Sequence, residues 1–496
     1  MGLRSFFAKP FAAWVVSKQK KWMRFPAQTQ QSVFEAIISK AAKTRFGEDH
    51  GFDRIKTHSD FVKQVPIRDY EGLKDYIVLI KEGAANVLWP GKPLYFAKTS
   101  GTTSGTKYIP ISKDSISNHI SGARDALLNY VYQTGKSSFL DKKLIFLSGS
   151  PTLEKIAGIH TGRLSGIANH HVPGYLRSNQ LPSFGTNCIE DWEEKVEHII
   201  DETINQEMSL ISGIPPWVQM YFDRIQERTG KNIKDIFPHF SLFVYGGVNF
   251  EPYRKKLFDA IGKKVDSIEL FPASEGFFAF QDLPGKEGLL LLLNSGIFYE
   301  FIPAEEYHNQ HPTRLTIGEV EVGKNYALII NSNAGLWGYS IGDTVKFLSK
   351  NPYRLVVTGR IKHFISAFGE HVIGEEVEKA LKETLLYHPE VSISEFTVAP
   401  QVTPEEGLPH HVWLIEFSTP PANLPAFERR LDQSLCKLNS YYDDLIKGKI
   451  LTTLVVTSLK PGSFQAYMKS LGKLGGQNKV PRLSNDRNLA DALLLI

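Results

Sequence analysis

The middle of the chain alternates short apolar runs ending in small residues with stretches of helical spacing, and this pattern limits the possible folds most strongly. Lys143-Leu-Ile-Phe-Leu-Ser-Gly-Ser, Ser209-Leu-Ile-Ser-Gly-Ile, Ser241-Leu-Phe-Val-Tyr-Gly-Gly and the run from Val265 to Phe271 each reads as a buried strand. Helical spacing fills residues 190–208, 217–228 and 252–261 between them. Strand and helix in turn predict an α/β architecture with a largely parallel sheet.

The flanks read differently. Residues 1–90 predict helices with polar connections, 94–112 a strand, a loop and a second strand, and 115–134 a long helix. From about residue 287 short strands follow one another, at 289–293, 298–302, 318–322, 326–330, 345–347 and 354–358, which predicts a β-rich subdomain ending at Gly359-Arg360. Beyond residue 361 an α+β unit begins, with helices over 374–386, 426–438 and 464–471 and strands over 411–417 and 451–459. A chain of 496 residues exceeds one hydrophobic core. The expected organisation is a large N-terminal domain over 1–360 and a small C-terminal domain over 361–496.

Composition removes several function classes. A net charge of +4 on this length, with no basic stripe interleaved with aromatics, gives no case for nucleic acid. Cys188 and Cys436 stand far apart without a CxxC or Cys/His pattern, against zinc and against a disulfide framework, and suit a reducing cytoplasm. Phe11-Ala-Ala-Trp-Val-Val is too short for a signal peptide and runs into Lys18, Lys20 and Lys21, so it predicts a first amphipathic helix packed on the body. No apolar run is long enough for stable insertion into a membrane.

The strongest chemical signal is Lys98-Thr-Ser-Gly-Thr-Thr-Ser-Gly-Thr-Lys107. Gly101 and Gly105 let the backbone bend close to a ligand. Ser100, Thr102, Thr103 and Ser104 offer hydroxyls, and Lys107 adds a compact positive charge. Between two predicted strands this set suits polyphosphate oxygens. Its glycine-to-lysine spacing is not that of a Walker A loop.

The loop resembles the phosphate-binding signature of the adenylate-forming superfamily, and within it the chain most resembles the GH3 family of acyl-acid amido synthetases. Further motifs follow in order. Phe271-Pro-Ala-Ser-Glu resembles the superfamily's Tyr-Gly-Ala-Ser-Glu element. The resemblance implies that Phe271 stacks on adenine, Ser274 bonds a phosphate and Glu275 helps to hold Mg²⁺, with Gly246 and Gly247 as a flat floor beside the base. Read alone, Ala-Ser-Glu suits a helix N-cap. Tyr339-Ser-Ile-Gly-Asp343 resembles the Tyr-Arg-x-Gly-Asp element, which implies Asp343 on the ribose hydroxyls; Ser340 stands where arginine is usual. Val357-Thr-Gly-Arg360-Ile-Lys-His363 resembles the segment joining the two domains, with Arg360 near the nucleotide. Gly475-Gly-Gln-Asn-Lys479-Val-Pro-Arg482 resembles the GH3 tail Gln-Tyr-Lys-x-Pro-Arg, which implies a catalytic Lys479.

Two chemical readings stand apart from the resemblance. His160, His170 and His171 could line an acyl pocket, and Arg163 could pair with an acceptor's carboxylate. The expected fold is therefore that of an adenylate-forming enzyme. The expected activity uses ATP and Mg²⁺ to convert a carboxylic acid into its acyl-adenylate and passes the acyl group to an amine or amino acid. A CoA ligase, with a thiol as acceptor, and a nucleotide-binding protein without catalysis are the alternatives.

Overall fold

The computed structural model describes residues 2–100, 106–172, 174–247, 250–361, 364–365, 372–402, 404–447, 451–473, 479–484 and 486–496. The chain divides into two compact units. The first comprises Met1–Ile214, Ile233–Gly247 and Val265–Val357, and the second Pro215–Asn232, Val248–Lys264 and Thr358–Ile496.

In the first unit the labelled helices are α1 (Leu3–Met23), α2 (Tyr70–Lys81), α3 (Lys113–Thr134), α4 (Leu164–His170) and α5 (Trp192–Thr203). Local chemistry sets their ends. The Asp69 carboxylate accepts from the first amides of α2, and Ser112 and Ser115 form a reciprocal capping box on α3, which stops at the left-handed Gly135.

An eleven-stranded sheet organises this unit. Its chain-order members are β3 (Lys143–Phe146), β6 (Gln180–Leu181), β7 (Met208–Ser212), β8 (Leu242–Gly246), β9 (Asp266–Ala273), β10 (Gly276–Phe280), β11 (Leu289–Leu291), β12 (Ile297–Pro303), β13 (Asn325–Ser332), β14 (Tyr339–Lys350) and β15 (Tyr353–Arg360). The order across the sheet is β12-β13-β14-β15-β11-β10-β9-β8-β7-β3-β6. From β6 to β9 all pairings are parallel. At β9 the chain turns back into β10 and the pairing becomes antiparallel. The β-rich stretch therefore extends the parallel sheet through a hairpin. A second sheet, ordered β2-β1-β5-β4, contains β1 (Tyr95–Ser100), β2 (Thr106–Ile111), β4 (Glu154–Ile156) and β5 (Ile159–Gly162).

One strand expected from sequence is absent. Residues 318–322 form a turn in which the Thr316 amide and hydroxyl both donate to Glu319 Oε2 at 2.7 Å. Only Val322 bridges to β14, at Phe347. Side-chain capture of the backbone competes here with the ladder.

A charged cluster lies inside the first unit. Glu300 on β12 is fully buried and accepts from Arg314 at 2.6 and 2.8 Å, His58 at 2.7 Å and Asn331 at 2.8 Å. Burial alone would raise its pKa, but Arg314 and then His58 outweigh that and hold it at about 2. Asn331 also accepts from the Gly338 amide at 2.6 Å, so the cluster reaches the segment leading into β14.

The second unit contains α6 (Pro215–Thr229), α7 (Glu251–Ile261), α8 (Gly374–Tyr387) and α9 (Leu424–Leu438). Its strands are the pair β16 (Phe364–Ile365) and β17 (Val372–Ile373), and a sheet of β18 (Ser392–Gln401), β19 (His410–Thr419) and β20 (Val455–Leu459) with β19 in the centre. Val377, Leu381, Trp413, Phe427 and Leu431 fill its core. β18 was not expected from sequence. Its register shifts between Ile393 and Glu395, so apolar residues fall at 393, 396 and 398 and the alternation that marks a strand is broken. Among the described residues no helix is long and apolar enough to cross a membrane.

Candidate active site

Parallel strands present their carboxyl ends on one side of a sheet, where ligands of open α/β folds bind. Here β3 runs into Ser148-Gly149, β7 into Gly213, β8 into Gly247 and β9 into Ser274-Glu275. The first two loops are tied to the neighbouring strand ends. The Leu147 amide donates to Ser212 O at 2.8 Å, and the Gly213 amide to Val244 O at 3.1 Å. Gly246, Gly247, Phe271, Ser274 and Glu275, picked out from separate motifs, are thus gathered on this edge.

Both glycines are required by geometry. A Cβ at Gly246 would lie 2.4 Å from the Leu270 carbonyl oxygen, because β8 presses on β9 there. Gly247 has φ of +87°. The result is a strand end with no side chain, as a flat ligand needs. Ser274 and Glu275 form the two-residue turn of the β9–β10 hairpin, not the helix N-cap that the tripeptide alone suggests. Ser274 is buried and Glu275 partly exposed. Phe271 is 7% exposed and packs edge to face on Phe278 with ring centroids 5.1 Å apart. Most of that ring serves the core, so little of it is left for the stacking on adenine expected from sequence.

Two cations border the same edge, one unforeseen. Lys195, on α5, is buried and donates to Ser148 O at 2.9 Å and Asn187 O at 2.7 Å. Burial pulls its pKa down to about 8. Arg163 caps the start of α4, and a Cβ added at Gly149 would lie 2.9 Å from its Cδ. Lys195 reads in sequence as one more charge on an acidic helix, and no local pattern marks it.

The loop expected from sequence to bind phosphate joins β1 to β2. The last pair of that hairpin is Ser100 with Thr106, and Thr99 faces Lys107. Gly101, Thr102, Thr103 and Ser104 lie outside the described residues. Lys107 is partly buried, with Nζ 5.7 Å from the centroid of the Tyr70 ring. The Tyr70 hydroxyl accepts from the Tyr108 amide at 3.0 Å. Two residues earlier, Arg68 bridges to β14: its amide donates to Gly338 O at 2.8 Å, and its carbonyl accepts from the Ser340 amide at 2.7 Å. The short segment 68–70 therefore ties the strand carrying Lys107 to the strand carrying Asp343.

Asp343 sits on an irregularity of β14. Ala327 pairs with Thr344 but Ile329 pairs with Ser340, so Ile341, Gly342 and Asp343 oppose Leu328 alone. Gly342 takes φ of +83°. Such a bulge bends the strand and re-aims a side chain, and Ile341, Gly342 and Asp343 are partly exposed there between the buried Ser340 and Thr344. Ser340, in the position usual for arginine, is buried and accepts from the Tyr307 hydroxyl at 2.8 Å.

In the second unit Arg360 is the last residue of β15, and His363 lies outside the described residues. Lys479 is exposed. The chain just beyond it is firmly held. The Val398 amide donates to Arg482 O at 3.0 Å, Thr397 Oγ1 to Pro481 O at 2.7 Å, and Arg482 pairs with Glu395 and, at 3.3 Å, with Glu378.

A cleft of about 430 Å³ is lined by Tyr95, Thr152, Leu153, His160, His170 and Phe184, among others. His171 borders it through a 3.0 Å hydrogen bond with Tyr95, and burial and then the neighbouring His170 lower its pKa. Tyr95 begins β1 and Ser100 ends it, so the cleft lies roughly 17 Å along the strand from the phosphate loop.

Comparisons with known proteins bear on the family and the fold. The GH3 family N-terminal domain model matches residues 15–183, the GH3 family central domain 290–360 and the GH3 family C-terminal domain 375–488. The chain belongs to the GH3 family. It is 22% identical over 547 residues to the jasmonoyl–L-amino acid synthetase JAR4 of Nicotiana attenuata, covering 93% of this chain and 92% of that protein. It is 28% identical over 553 residues to the jasmonoyl–L-amino acid synthetase GH3.5 of Oryza sativa subsp. japonica, covering 94% and 93%. In fold it is similar to the GH3.15 acyl acid amido synthetase, with a TM-score of 0.81 at 16% identity over 98% of this chain and 96% of that one. A 2-hydroxyisobutyryl-CoA ligase in the postadenylation state gives a TM-score of 0.59 at 13% identity over 95% and 90%. The fold is thus that of the adenylate-forming enzymes, built on the GH3 plan.

Proposed function

We propose that this GH3-family chain is an ATP-dependent acyl-acid amido synthetase. The observation that carries the reading is the segment 68–70, which joins the strand bearing Lys107 to the bulge bearing Asp343, in a unit whose parallel strands end in the bare glycines Gly246 and Gly247. The reaction has two steps. A carboxylate oxygen of the acid attacks the α-phosphorus of ATP, the bond to the bridging oxygen breaks, and pyrophosphate leaves. An amine nitrogen then attacks the acyl carbon, the acyl–oxygen bond to AMP breaks, and the amine gives up a proton.

The roles are those that the resemblance implies, together with the chemistry of the side chains. The loop from Ser100 through Gly101, Thr102, Thr103 and Ser104 donates to phosphate oxygens, and Lys107 neutralises their charge. Gly246 and Gly247 lie flat beside the base, with the little of the Phe271 ring that the core leaves free. Asp343 accepts from the ribose diol, and Ser274 bonds a phosphate. Lys479 stabilises charge building at the α-phosphorus, and Arg360 stands at the boundary between the domains expected from sequence, 1–360 and 361–496. Among the described residues no three histidine, cysteine or carboxylate groups gather as a metal site. Glu275 would be the protein ligand to Mg²⁺, a hard cation that takes oxygen ligands, and the ion would supply charge neutralisation on the phosphates. Arg163 and Lys195 suit the carboxylate of an amino-acid acceptor. The cytoplasm, where ATP is plentiful, is the fitting compartment.

Pyrophosphate–ATP exchange against pooled carboxylic acids, with Mg²⁺ and no acceptor, tests the first step. Amino acids and CoA supplied separately to the acid that responds test the second. Acid-dependent exchange followed by amide formation supports the reading. Thioester formation without amide would make the chain a CoA ligase, and ATP binding without exchange on any acid would make it a binding protein.

A further inference from the structure

The first helix is built inside out. Its inward face carries Ser5, Ala8, Ala12, Val15, Val16 and Gln19, all buried, and packs on α3. Small residues there bring the two helices close. The large apolar residues point the other way: Leu3 is 79% exposed, Phe6 63%, Phe7 60%, Trp14 52% and Phe11 38%. Leu3, Phe7, Phe11 and Trp14 recur every three or four residues and form one stripe.

The helix cannot roll to hide this stripe. The Gly2 amide donates to Asp141 Oδ2 at 2.8 Å and the Ser5 amide to Oδ1 at 3.2 Å, which anchors its first turn. Gln19 donates to Asp125 and accepts from buried Asn129, which fixes the far end. The aromatics pack on one another and on cations. Phe11 and Trp14 stack at 5.7 Å, and Lys18 Nζ lies 3.6 Å from the centroid of the Trp14 ring.

Charge then selects an occupant. The first Asp or Glu in the chain is Glu35, whereas Arg4, Lys9, Lys18, Lys20, Lys21 and Arg24 all precede it. A second copy of the chain, paired through the same stripe about a two-fold axis, would set these cations against themselves. An aromatic stripe flanked by cations suits the boundary of an anionic bilayer, where rings sit at headgroup depth and lysines meet lipid phosphates. We propose that α1 docks this protein peripherally, in the plane of an anionic membrane surface, through Leu3, Phe7, Phe11 and Trp14 with the lysines around them.

Flotation of the full-length protein with vesicles of phosphatidylserine in phosphatidylcholine, and with phosphatidylcholine alone, tests this without reference to activity. Expected is binding to the anionic vesicles, weakened by salt and by Lys9→Glu with Lys21→Glu by roughly tenfold or more. Phe7→Ser with Trp14→Ser should lower binding by roughly tenfold or more as well, and because both side chains are exposed the thermal midpoint should not move. Equal binding by this aromatic variant and the wild type would overturn the proposal. So would the absence of binding to anionic vesicles, including the case where sedimentation velocity reveals a dimer that the aromatic variant abolishes.

Discussion

Replacing Glu300 with glutamine keeps the shape of the side chain and removes its charge, so it isolates what the buried cluster contributes. An ordinary glutamate carboxyl titrates near 4.5, and in the fold this one is held at about 2. That difference is worth roughly 3 kcal/mol of stability at neutral pH. A separate argument reaches a similar size: Glu300→Gln leaves the Arg314 side chain, 4% exposed, without its counter-charge, and breaking a buried pair costs about 3–5 kcal/mol. The sign with pH follows from a lowered folded-state value. The contribution is complete above the unfolded value of about 4.5 and is lost as pH falls through the folded value near 2. Thermal or urea unfolding of wild type and variant at several pH values measures it. The variant should be the less stable by about 3 kcal/mol at pH 7, and the gap should narrow as pH falls below about 4.5. A gap that is absent at pH 7, or that widens in acid, would refute the reasoning.

The remaining predictions concern the site. Asp343→Ala should raise KM for ATP in pyrophosphate exchange by about tenfold to a hundredfold, the value of hydrogen bonds to a charged acceptor; an unchanged KM would remove Asp343 from the ribose. Lys479→Ala should slow adenylation by about a hundredfold or more while equilibrium ATP binding stays close to wild type, and full exchange activity would end that assignment. Gly246→Ala should destabilise the first unit by about 1–3 kcal/mol and raise KM for ATP, because its Cβ would meet the Leu270 carbonyl at 2.4 Å; wild-type values of both would mean that β8 and β9 separate freely.

What the sequence made legible depended on how far a residue's work reaches along the chain. Gly246, Gly247 and the hydroxyl-rich loop can be read locally because backbone geometry and phosphate chemistry demand those residue types in a row. The alternation of strands and helices is legible for the same reason, since hydrophobic periodicity is a local property. β18 was hidden by two register shifts between Ser392 and Glu395, which put its apolar residues out of phase. The 318–322 segment misled in the opposite sense, because Thr316 and Glu319 captured a backbone that composition assigned to a strand. The least legible residues do their work across the sequence. Arg68 joins the site through its own amide and carbonyl, 270 or so positions from β14, Tyr70 through a hydroxyl offered to Tyr108, and Lys195 through a carbonyl 47 residues away. Such residues carry no motif, because neither a backbone group nor a lone buried cation constrains its neighbours in sequence. Arg482 shows the two kinds meeting. In the sequence it closes the tail motif around Lys479 with no role attached to it, yet its pairing with Glu378 and Glu395 holds the chain three residues beyond Lys479. Arg482→Ala should therefore depress adenylation in proportion to the freedom it gives Lys479. Comparing that variant with Lys479→Ala separates placement of the lysine from its charge.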